Sequence, residues 1–129
     1  NYVSKVAAVP EIRKQMVKLQ RNIDRNKGVV MDGRDIGSVV FPDADIKLFL
    51  TASDTIRADR RFKEMINNGL SVSYDDILKN IRNRDKLDSS RTDSPLIIEN
   101  DAVVIDNSNM SINEQIKQII LLIDKKIVN

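Results

Sequence analysis

Residues 46–53 read Ile-Lys-Leu-Phe-Leu-Thr-Ala-Ser, and this stretch decides the fold. Its first part, Ile46–Leu50, is short and mostly apolar, which is typical of a buried strand. Ser53 follows closely and is a residue type that commonly caps helices, so the strand is predicted to lead directly into a helix. A strand followed by a helix is the repeating unit of a parallel α/β sheet.

Two more short apolar segments fit the same architecture. Val29–Met31 predicts a buried strand that runs into residues 32–35, and Ala102–Ile105 predicts a third strand. Together they favour an α/β fold with a parallel sheet covered by helices on both faces. Three strands are few for such a sheet, and the chain begins at Asn1 rather than Met, so we expect a fragment whose front portion is missing.

Capping residues and apolar periodicity predict four helices. The first carries Pro10 in its first turn and ends at Gly28. Its apolar face consists of Val9, Ile12, Met16, Leu19 and Ile23. The second helix follows Ser53 and breaks near residues 67–69.

The third and fourth helices are predicted to begin at serine caps. Ser73 with Asp76, and Ser111 with Glu114, have the spacing of a capping box. The apolar face of the third helix consists of Ile77, Leu78 and Ile81. The fourth helix is expected to point Ile112, Ile116, Ile119, Ile120 and Ile123 inward.

The composition excludes several kinds of chemistry. The 129 residues include no Cys and no His, which removes disulfides, thiolate metal sites and the commonest general base. Chemistry must therefore depend on Asp, Arg, Lys, Ser and backbone groups, and phosphate chemistry is the large reaction class that these support. The net charge of +2, with two Tyr, three Phe and no Trp, argues against nucleic-acid binding.

The length of 129 residues indicates one domain or part of one. No apolar run approaches the ~18–20 residues of a membrane span, and no signal peptide opens the chain. The absence of Cys fits a cytosolic protein. We therefore expect a cytoplasmic protein with no membrane partner.

The strongest local signal is Asp32-Gly33-Arg34-Asp35, at the carboxyl end of a predicted strand. Ligands of open α/β sheets bind at that edge. Asp32 can hold Mg²⁺ directly or through water, and Arg34 can donate two parallel hydrogen bonds to phosphate oxygens. The alternative interpretation is a turn whose Asp and Gly simply suit the backbone. The polar stretch that follows, as far as Asp43, is predicted as a loop.

A second signal lies on the third predicted helix. Arg84 is followed by Asp88 four residues later and by Arg91 seven residues later, so the three share one face if the helix continues that far. Two guanidiniums that flank a carboxylate can bind a sugar hydroxyl and a phosphate at the same time. The alternative is a solvent-exposed charged face with i,i+4 ion pairs.

Clustered arginines on the second helix form a third signal. Arg57, Arg60 and Arg61 precede the predicted break and could close over polyphosphate as a lid. Taken singly, each fits a surface residue better. Nothing in the composition marks Ser4 or Arg13, for which a place in the core or on the surface is the default.

Segments that match one enzyme family run along essentially the whole chain. The most specific is residues 32–44, Asp-Gly-Arg-Asp-Ile-Gly-Ser-Val-Val-Phe-Pro-Asp-Ala. The others are Val3–Ala8 with Pro10 and Arg13, Phe49–Ser53, Arg57 with Arg60 and Arg61, Arg84–Asp85 with Asp88, Arg91 and Pro95–Leu96, and Ala102–Asp106 with Met110, Ser111, Ile112 and Glu114. Together they resemble the bacterial cytidylate kinase family, whose members phosphorylate CMP and dCMP. Ser38 stands where the family usually has Thr.

The resemblance implies a partial version of the parallel-sheet fold of P-loop kinases that act on nucleoside monophosphates. The family's glycine-rich phosphate loop, G-x-x-G-x-G-K-[ST], does not occur in these 129 residues, so the chain resembles the C-terminal part of the enzyme. The implied organisation is a single domain fragment. Residues 1–55 would be core and monophosphate-binding side, residues 56–70 a short lid, and residues 71–129 core.

The resemblance also implies the reaction and its partners. A phosphoryl group would pass from ATP to CMP or dCMP, giving ADP and CDP or dCDP, with Mg²⁺ as cofactor. The implied partners are the nucleotides CMP, dCMP and ATP, with no nucleic acid, no membrane and a monomeric parent enzyme. The fragment alone is expected to be inactive, because nothing in it cradles the ATP phosphates.

By resemblance, five residues would hold the nucleoside. Asp35 and Arg13 would read the cytosine edge, since a carboxylate accepts from the N4 amine and a guanidinium donates to N3 or O2. Uracil would be disfavoured because its O4 would face the carboxylate with no proton between them. Ser4, Arg84 and Asp88 would hold the sugar.

Five residues would act on phosphate. By resemblance, Arg34 and Arg91 would bind the CMP phosphate, and Arg60 and Arg61 would close over the transferring phosphoryl group. Asp32 would lie near Mg²⁺ through water. Such a site needs no histidine, because phosphoryl transfer depends on positioning and charge neutralisation.

Two other functions remain open on the sequence alone. One is a non-catalytic module that keeps a pyrimidine-nucleotide pocket without turnover. The other is a related kinase that acts on UMP or on a non-nucleotide substrate. The spacing of Arg84, Asp88 and Arg91, together with Asp35, favours CMP.

Overall fold

Short strands lie between helices along the chain, as the sequence predicts. The computed structural model describes residues 9–23, 28–90 and 95–127. In chain order the elements are helix α1 (Pro10–Arg21), a single π-helical turn (Ile36–Val40), strand β1 (Leu48–Thr51), helix α2 (Asp54–Asn67), helix α3 (Tyr74–Ser90), strand β2 (Val103–Asp106) and helix α4 (Ile112–Ile127).

The sheet formed by the described residues has two parallel strands. Leu48 is in register with Val103, and Thr51 with Asp106. The pairing extends one step further, because the backbone N–H of Asn107 donates to the carbonyl of Thr51 at 2.8 Å. The carboxyl ends of β1 and β2 therefore meet at one edge, which confirms the parallel α/β prediction.

The prediction of a strand at Val29–Met31 is wrong in this structure. Residues 28–32 adopt no regular structure, and Val30 is fully exposed. A strand is held by hydrogen bonds to the peptide groups of a neighbour, and no described strand lies beside this segment. Apolar composition alone therefore did not suffice to define a strand here.

Helix α1 begins at Pro10, as predicted, but ends at Arg21 rather than at Gly28. Asn22 closes it, and the Asn22 N–H donates back to the carbonyl of Leu19 at 3.1 Å. Asparagine favours helix ends because its side chain competes with the helical hydrogen bonds. Gly28 instead has a φ of +71°, the left-handed conformation that glycine adopts without a Cβ clash.

Helices α2 and α3 form the best-packed pair of helices among the described residues. As predicted, the Ser53 hydroxyl caps α2 by accepting from the N–H of Ile56 at 3.3 Å. The buried residues of the two helices are Ala58, fully buried, and Ile77, 8% exposed. The two helices are also joined by an edge-on ring contact, with the Phe62 and Tyr74 centroids 5.9 Å apart.

The ends of these helices also follow the prediction. Helix α2 stops at Asn67, and Gly69 then takes a φ of +75°. Helix α3 follows Ser73, whose hydroxyl accepts from the N–H of Asp76 at 3.5 Å. Local capping chemistry thus decides where the chain changes direction.

Helix α4 carries the predicted capping box. The Glu114 N–H donates to the Ser111 hydroxyl at 3.3 Å, and the Ser111 N–H donates to the Glu114 carboxylate at 2.8 Å. The expectation that its isoleucines all point inward is wrong in part. Ile119 and Ile123 are half-buried, whereas Ile112 is 77% exposed. Two short strands offer too little surface to cover the whole stripe.

Candidate functional site

Two of the sequence motifs meet at a single carboxylate. The Nε of Arg34 donates to Oδ2 of Asp88, which lies 54 residues further along the chain on α3. The Nε of Arg84, one turn earlier on α3, lies 3.8 Å from the same oxygen. The Asp88 side chain is only 13% exposed. We call Arg34, Arg84 and Asp88 the acceptor cluster.

The acceptor cluster combines groups that suit a sugar phosphate. Each guanidinium carries five N–H donors in a planar fork, and Asp88 can only accept when ionised. The cluster has one more positive than negative charge, which favours an anion nearby. The side chains of Arg34 and Arg84 are 35% and 52% exposed, so a ligand in solution can reach them.

The segment after Arg34 forms a π-helical turn, so the prediction of a loop at these residues is wrong. The carbonyl of Asp35 accepts from the N–H of Val39 at 2.9 Å and of Val40 at 3.2 Å. The Phe41 N–H then donates to the carbonyl of Ile36 at 2.7 Å, five residues back. Single π-helical turns are frequent at functional sites.

Helix α1 packs against this π-helical turn. The Arg21 guanidinium donates through Nε to the carbonyl of Val40 at 3.1 Å and through Nη2 to that of Val39. This contact brings the helix that carries Arg13, a half-buried residue, next to the turn that begins after Asp35. The two residues expected to read the base therefore belong to neighbouring elements.

An ion-pair cluster that the sequence analysis missed supports the same turn. The Nζ of Lys47 lies 2.7 Å from the Glu99 carboxylate and 2.9 Å from that of Asp101. These carboxylates raise the pKa of Lys47. A Cβ on Gly37 would lie 2.7 Å from Oε1 of Glu99, so the turn approaches Glu99 closely because residue 37 is glycine.

Arg57 faces α3 and joins it to the end of β1. Its Nη1 and Nη2 donate to the two oxygens of Asp85 at 2.9 and 2.6 Å, and its Nε donates to the carbonyl of Ala52 at 3.1 Å. The hydrogen bond to Asp85 raises the pKa of Arg57. The pair borders an open cleft of about 270 Å³, whose lining includes Phe49 and Leu96.

The other two arginines of α2 have separate partners. Arg60 donates to the side-chain oxygen of Asn107 at 2.8 Å and to its backbone oxygen at 2.7 Å. Asn107 donates in turn to Gln115 at 2.7 Å. Arg61 pairs with Glu64 at 2.8 Å. The structure therefore places Arg60 at the carboxyl edge of the sheet, and these hydrogen bonds of Arg60 and Arg61 go to residues outside the acceptor cluster.

Asp32 is an exposed carboxylate just before Arg34. Within the described ranges, no group of three or more carboxylates could hold a metal by itself. A lone carboxylate nevertheless fits Mg²⁺ bound with a nucleotide, because that ion keeps several waters and takes other ligands from substrate phosphates. Asp32 could hold such an ion through water.

Two predicted site residues, Ser4 and Arg91, lie outside the described residues. The helix that carries Arg84 and Asp88 is described as far as Ser90. None of the helices in the described part of the chain is long and apolar enough to cross a membrane.

Comparison with known proteins identifies the family. The cytidylate kinase family model matches residues 1–125. The chain belongs to the cytidylate kinase family. Membership confirms the resemblance carried by residues 32–44, and the partial α/β kinase fold that this resemblance implied.

Relatives named cytidylate kinase match most of this chain. The protein from Flavobacterium psychrophilum is 52% identical over 124 residues, which are 96% of this chain and 55% of that protein. The protein from Phocaeicola vulgatus is 50% identical over 117 residues, 91% of this chain and 51% of that protein. The protein from Clostridium botulinum is 48% identical over 125 residues, which are 97% of this chain and 58% of that protein. The chain thus spans about half the length of the curated relatives it matches.

Proposed function

We propose that this chain is part of a kinase that transfers a phosphoryl group from ATP to CMP or dCMP, giving ADP and CDP or dCDP. The observation that carries the proposal is the acceptor cluster, in which Arg34 and Arg84 meet at Asp88. Family membership supports it, because the relatives that match this chain are named cytidylate kinase.

The acceptor cluster would hold the sugar and phosphate of the nucleotide. Ser4, Arg84 and Asp88 would hold the sugar, with Asp88 accepting hydrogen bonds from its hydroxyls. Arg34 and Arg91 would bind the phosphate, since guanidinium forks match phosphate oxygens in shape and charge. The partial exposure of Arg34 and Arg84 is consistent with this role.

Asp35 and Arg13 would select cytosine. The carboxylate of Asp35 accepts from the N4 amine, while the guanidinium of Arg13 donates to N3 or O2. Uracil presents an acceptor where cytosine presents that amine, so two acceptors would face each other. The packing of α1 on the π-helical turn supports a shared role for these two residues.

Arg60, Arg61 and Asp32 would act on the transferring group. The arginines would move from Asn107 and Glu64 to neutralise charge on the phosphoryl oxygens. Bound Mg²⁺ would supply further neutralisation there, with Asp32 holding one of its waters. We propose that residues 56–70, which include most of α2, form the lid between the parts 1–55 and 71–129.

The whole protein is proposed to act as a monomer in the cytoplasm, with nucleotides as its partners. The 129 residues contain no G-x-x-G-x-G-K-[ST] loop, which favours nucleotide binding without turnover for this chain taken alone. A non-catalytic pyrimidine-nucleotide-binding role is therefore the second candidate.

A coupled assay with ATP and CMP, dCMP or UMP tests the proposal. The full-length protein should phosphorylate CMP and dCMP in preference to UMP, and the 129-residue chain alone should show no turnover. Calorimetric titration with CMP measures binding separately from turnover. Absence of CMP phosphorylation by the full-length protein, with CMP binding retained, would favour the non-catalytic role.

A further inference from the structure

We propose that Arg57 and Asp85 are a positioning pair that sets the rotation of α3 and thereby aligns Arg84 and Asp88 with Arg34. The inference rests on the proposed function, in which those three residues bind the acceptor nucleotide. Among the described contacts, no hydrogen bond joins Arg57 or Asp85 to the acceptor cluster. The pair therefore acts through the helix.

Arg57 ties three elements together through one side chain. It sits in the first turn of α2 and donates to both oxygens of Asp85 on α3, at 2.9 and 2.6 Å. Its Nε donates to the carbonyl of Ala52, just after β1, at 3.1 Å. All three N–H groups lie in one rigid plane, so α3 is held in a fixed direction relative to the end of β1.

The position of Asp85 on α3 links this contact to the acceptor cluster. Each residue turns an α-helix by about 100°, so Asp88 is offset from Asp85 by about 60° and Arg84 by about 100° in the same sense. When Asp85 is held, both neighbours are therefore held at set angles. Loss of that contact would let Asp88 turn away from Arg34.

The buried apolar residues of α2 and α3 set this angle less precisely than a two-bond ion pair does. The buried residues of the two helices, Ala58 and Ile77, are apolar, and apolar contacts are favourable without being directional. A two-bond contact between a guanidinium and a carboxylate fixes direction. The side chains of Arg57 and Asp85 are 38% and 40% exposed, so they are expected to add little to stability.

A second ion pair across the same two helices provides a matched control. The Nε of Arg82 on α3 donates to the carboxylate of Asp54 on α2 at 2.6 Å. This pair makes one hydrogen bond rather than two and has no contact with β1 among the described residues. If any ion pair between α2 and α3 sufficed, Arg82→Gln would behave like a change at Arg57.

The experiment compares the full-length protein with Arg57→Lys, Asp85→Asn, the double variant and Arg82→Gln. In Arg57→Lys and Asp85→Asn, kcat/KM for CMP should fall roughly tenfold through a higher KM, because small displacements of positioning groups are costly. KM for ATP and Tm should stay near wild-type. The double variant should be no worse than either single one, since both remove one contact. Arg82→Gln should match wild-type.

The outcomes separate failure of the inference from failure of the proposed function. A wild-type protein without CMP kinase activity refutes the function itself. An active wild-type protein whose Asp85→Asn and Arg57→Lys variants match Arg82→Gln refutes the positioning role. A rise in KM for ATP rather than CMP also refutes it, and so does a large drop in Tm in both variants, because the pair would then be holding the fold.

Discussion

The Nε of Arg34 donates a hydrogen bond to Asp88, so the carboxylate proposed to hold the sugar is already engaged by the guanidinium proposed to hold the phosphate. The Nε of Arg84 lies 3.8 Å from the Oδ2 of Asp88. A nucleotide that binds here must share Asp88 with both cations. The sugar and phosphate contacts are thus coupled through one side chain, and the hydroxyl that distinguishes CMP from dCMP is what can separate their contributions.

Replacement of Asp88 tests the sugar contact. Asp88→Ala should lower kcat/KM by an amount that depends on which sugar hydroxyls the substrate carries. If the carboxylate accepts from the 2′-hydroxyl, CMP should lose about 1.5–3 kcal/mol more transition-state stabilisation than dCMP. The measurement is kcat/KM for both substrates in the full-length protein. An unchanged CMP-to-dCMP ratio would mean that Asp88 does not contact that hydroxyl.

Arg91→Met is the complementary change. CMP and dCMP carry the same phosphate, so both should lose activity about equally. kcat should also fall, because a guanidinium on the acceptor phosphate aligns it with the donor. The interpretation of this helix as a solvent-exposed face expects neither result, since an exposed ion pair contributes only ~0–1 kcal/mol. Wild-type kinetics for both the Asp88 and Arg91 variants would support that interpretation.

Asp35→Asn tests base selection. The amide can donate as well as accept, so it tolerates the uracil O4 that the carboxylate repels. Preference for CMP over UMP should fall by on the order of 1–3 kcal/mol, the usual worth of one recognition bond. Relative kcat/KM for the two substrates is the measurement. If the ratio does not move, Asp35 does not face the base.

Features that depend on neighbouring residues were predictable from the sequence. The Ser53 cap, the Ser111–Glu114 capping box and the glycine turn at Gly69 each involve residues within a few positions of one another. The propensities of these residue types therefore carry the information. The same holds for the strand at Leu48–Thr51, whose apolar run leads directly into a helix cap.

Features that depend on distant partners were not predictable in this way. The apolar run Val29–Met31 forms no strand in the structure, because a strand also needs a neighbour to pair with. Sequence clustering placed Arg57 with Arg60, yet their partners are Asp85 and Asn107, 28 and 47 residues away. No local pattern distinguishes two arginines on one helix whose roles are set by what packs against them.

The capping box of α4 makes a contribution to stability that depends on pH. The hydroxyl and N–H of Ser111 donate to Glu114, and they lower the pKa of that carboxyl. The contribution is therefore present in full above the ordinary glutamate pKa of 4.5 and is lost as pH falls through the lower pKa of the folded state. Tm is measured by thermal denaturation between about pH 2 and pH 7. As the pH is lowered, the Tm of Glu114→Gln should fall less than the Tm of the wild-type protein. Asp124→Asn on the same helix is the control, and an equal effect of both changes would contradict the prediction.

Gly37→Ala should destabilise the π-helical turn. The new methyl group would lie 2.7 Å from Oε1 of Glu99 and 3.2 Å from Cδ of Lys47. Glu99 cannot swing away freely, because its carboxylate is paired with Lys47 at 2.7 Å. We expect a loss of about 1–3 kcal/mol in the free energy of unfolding, the usual cost of overpacking. Ser38→Ala, which removes an atom in the same turn, should cost less in the same denaturant titration.

A double-mutant cycle shows whether the clash at residue 37 is really with Glu99. If it is, Gly37→Ala should cost much less in a Glu99→Ala background, because the atom that the methyl group meets is gone. Gly37→Ala should also raise KM for CMP, because the turn begins directly after Asp35 and the substitution should displace it. This rise in KM should be smaller in the Glu99→Ala background. If the costs of the two substitutions are additive, the turn requires glycine at residue 37 because of its backbone and not because Glu99 needs the space.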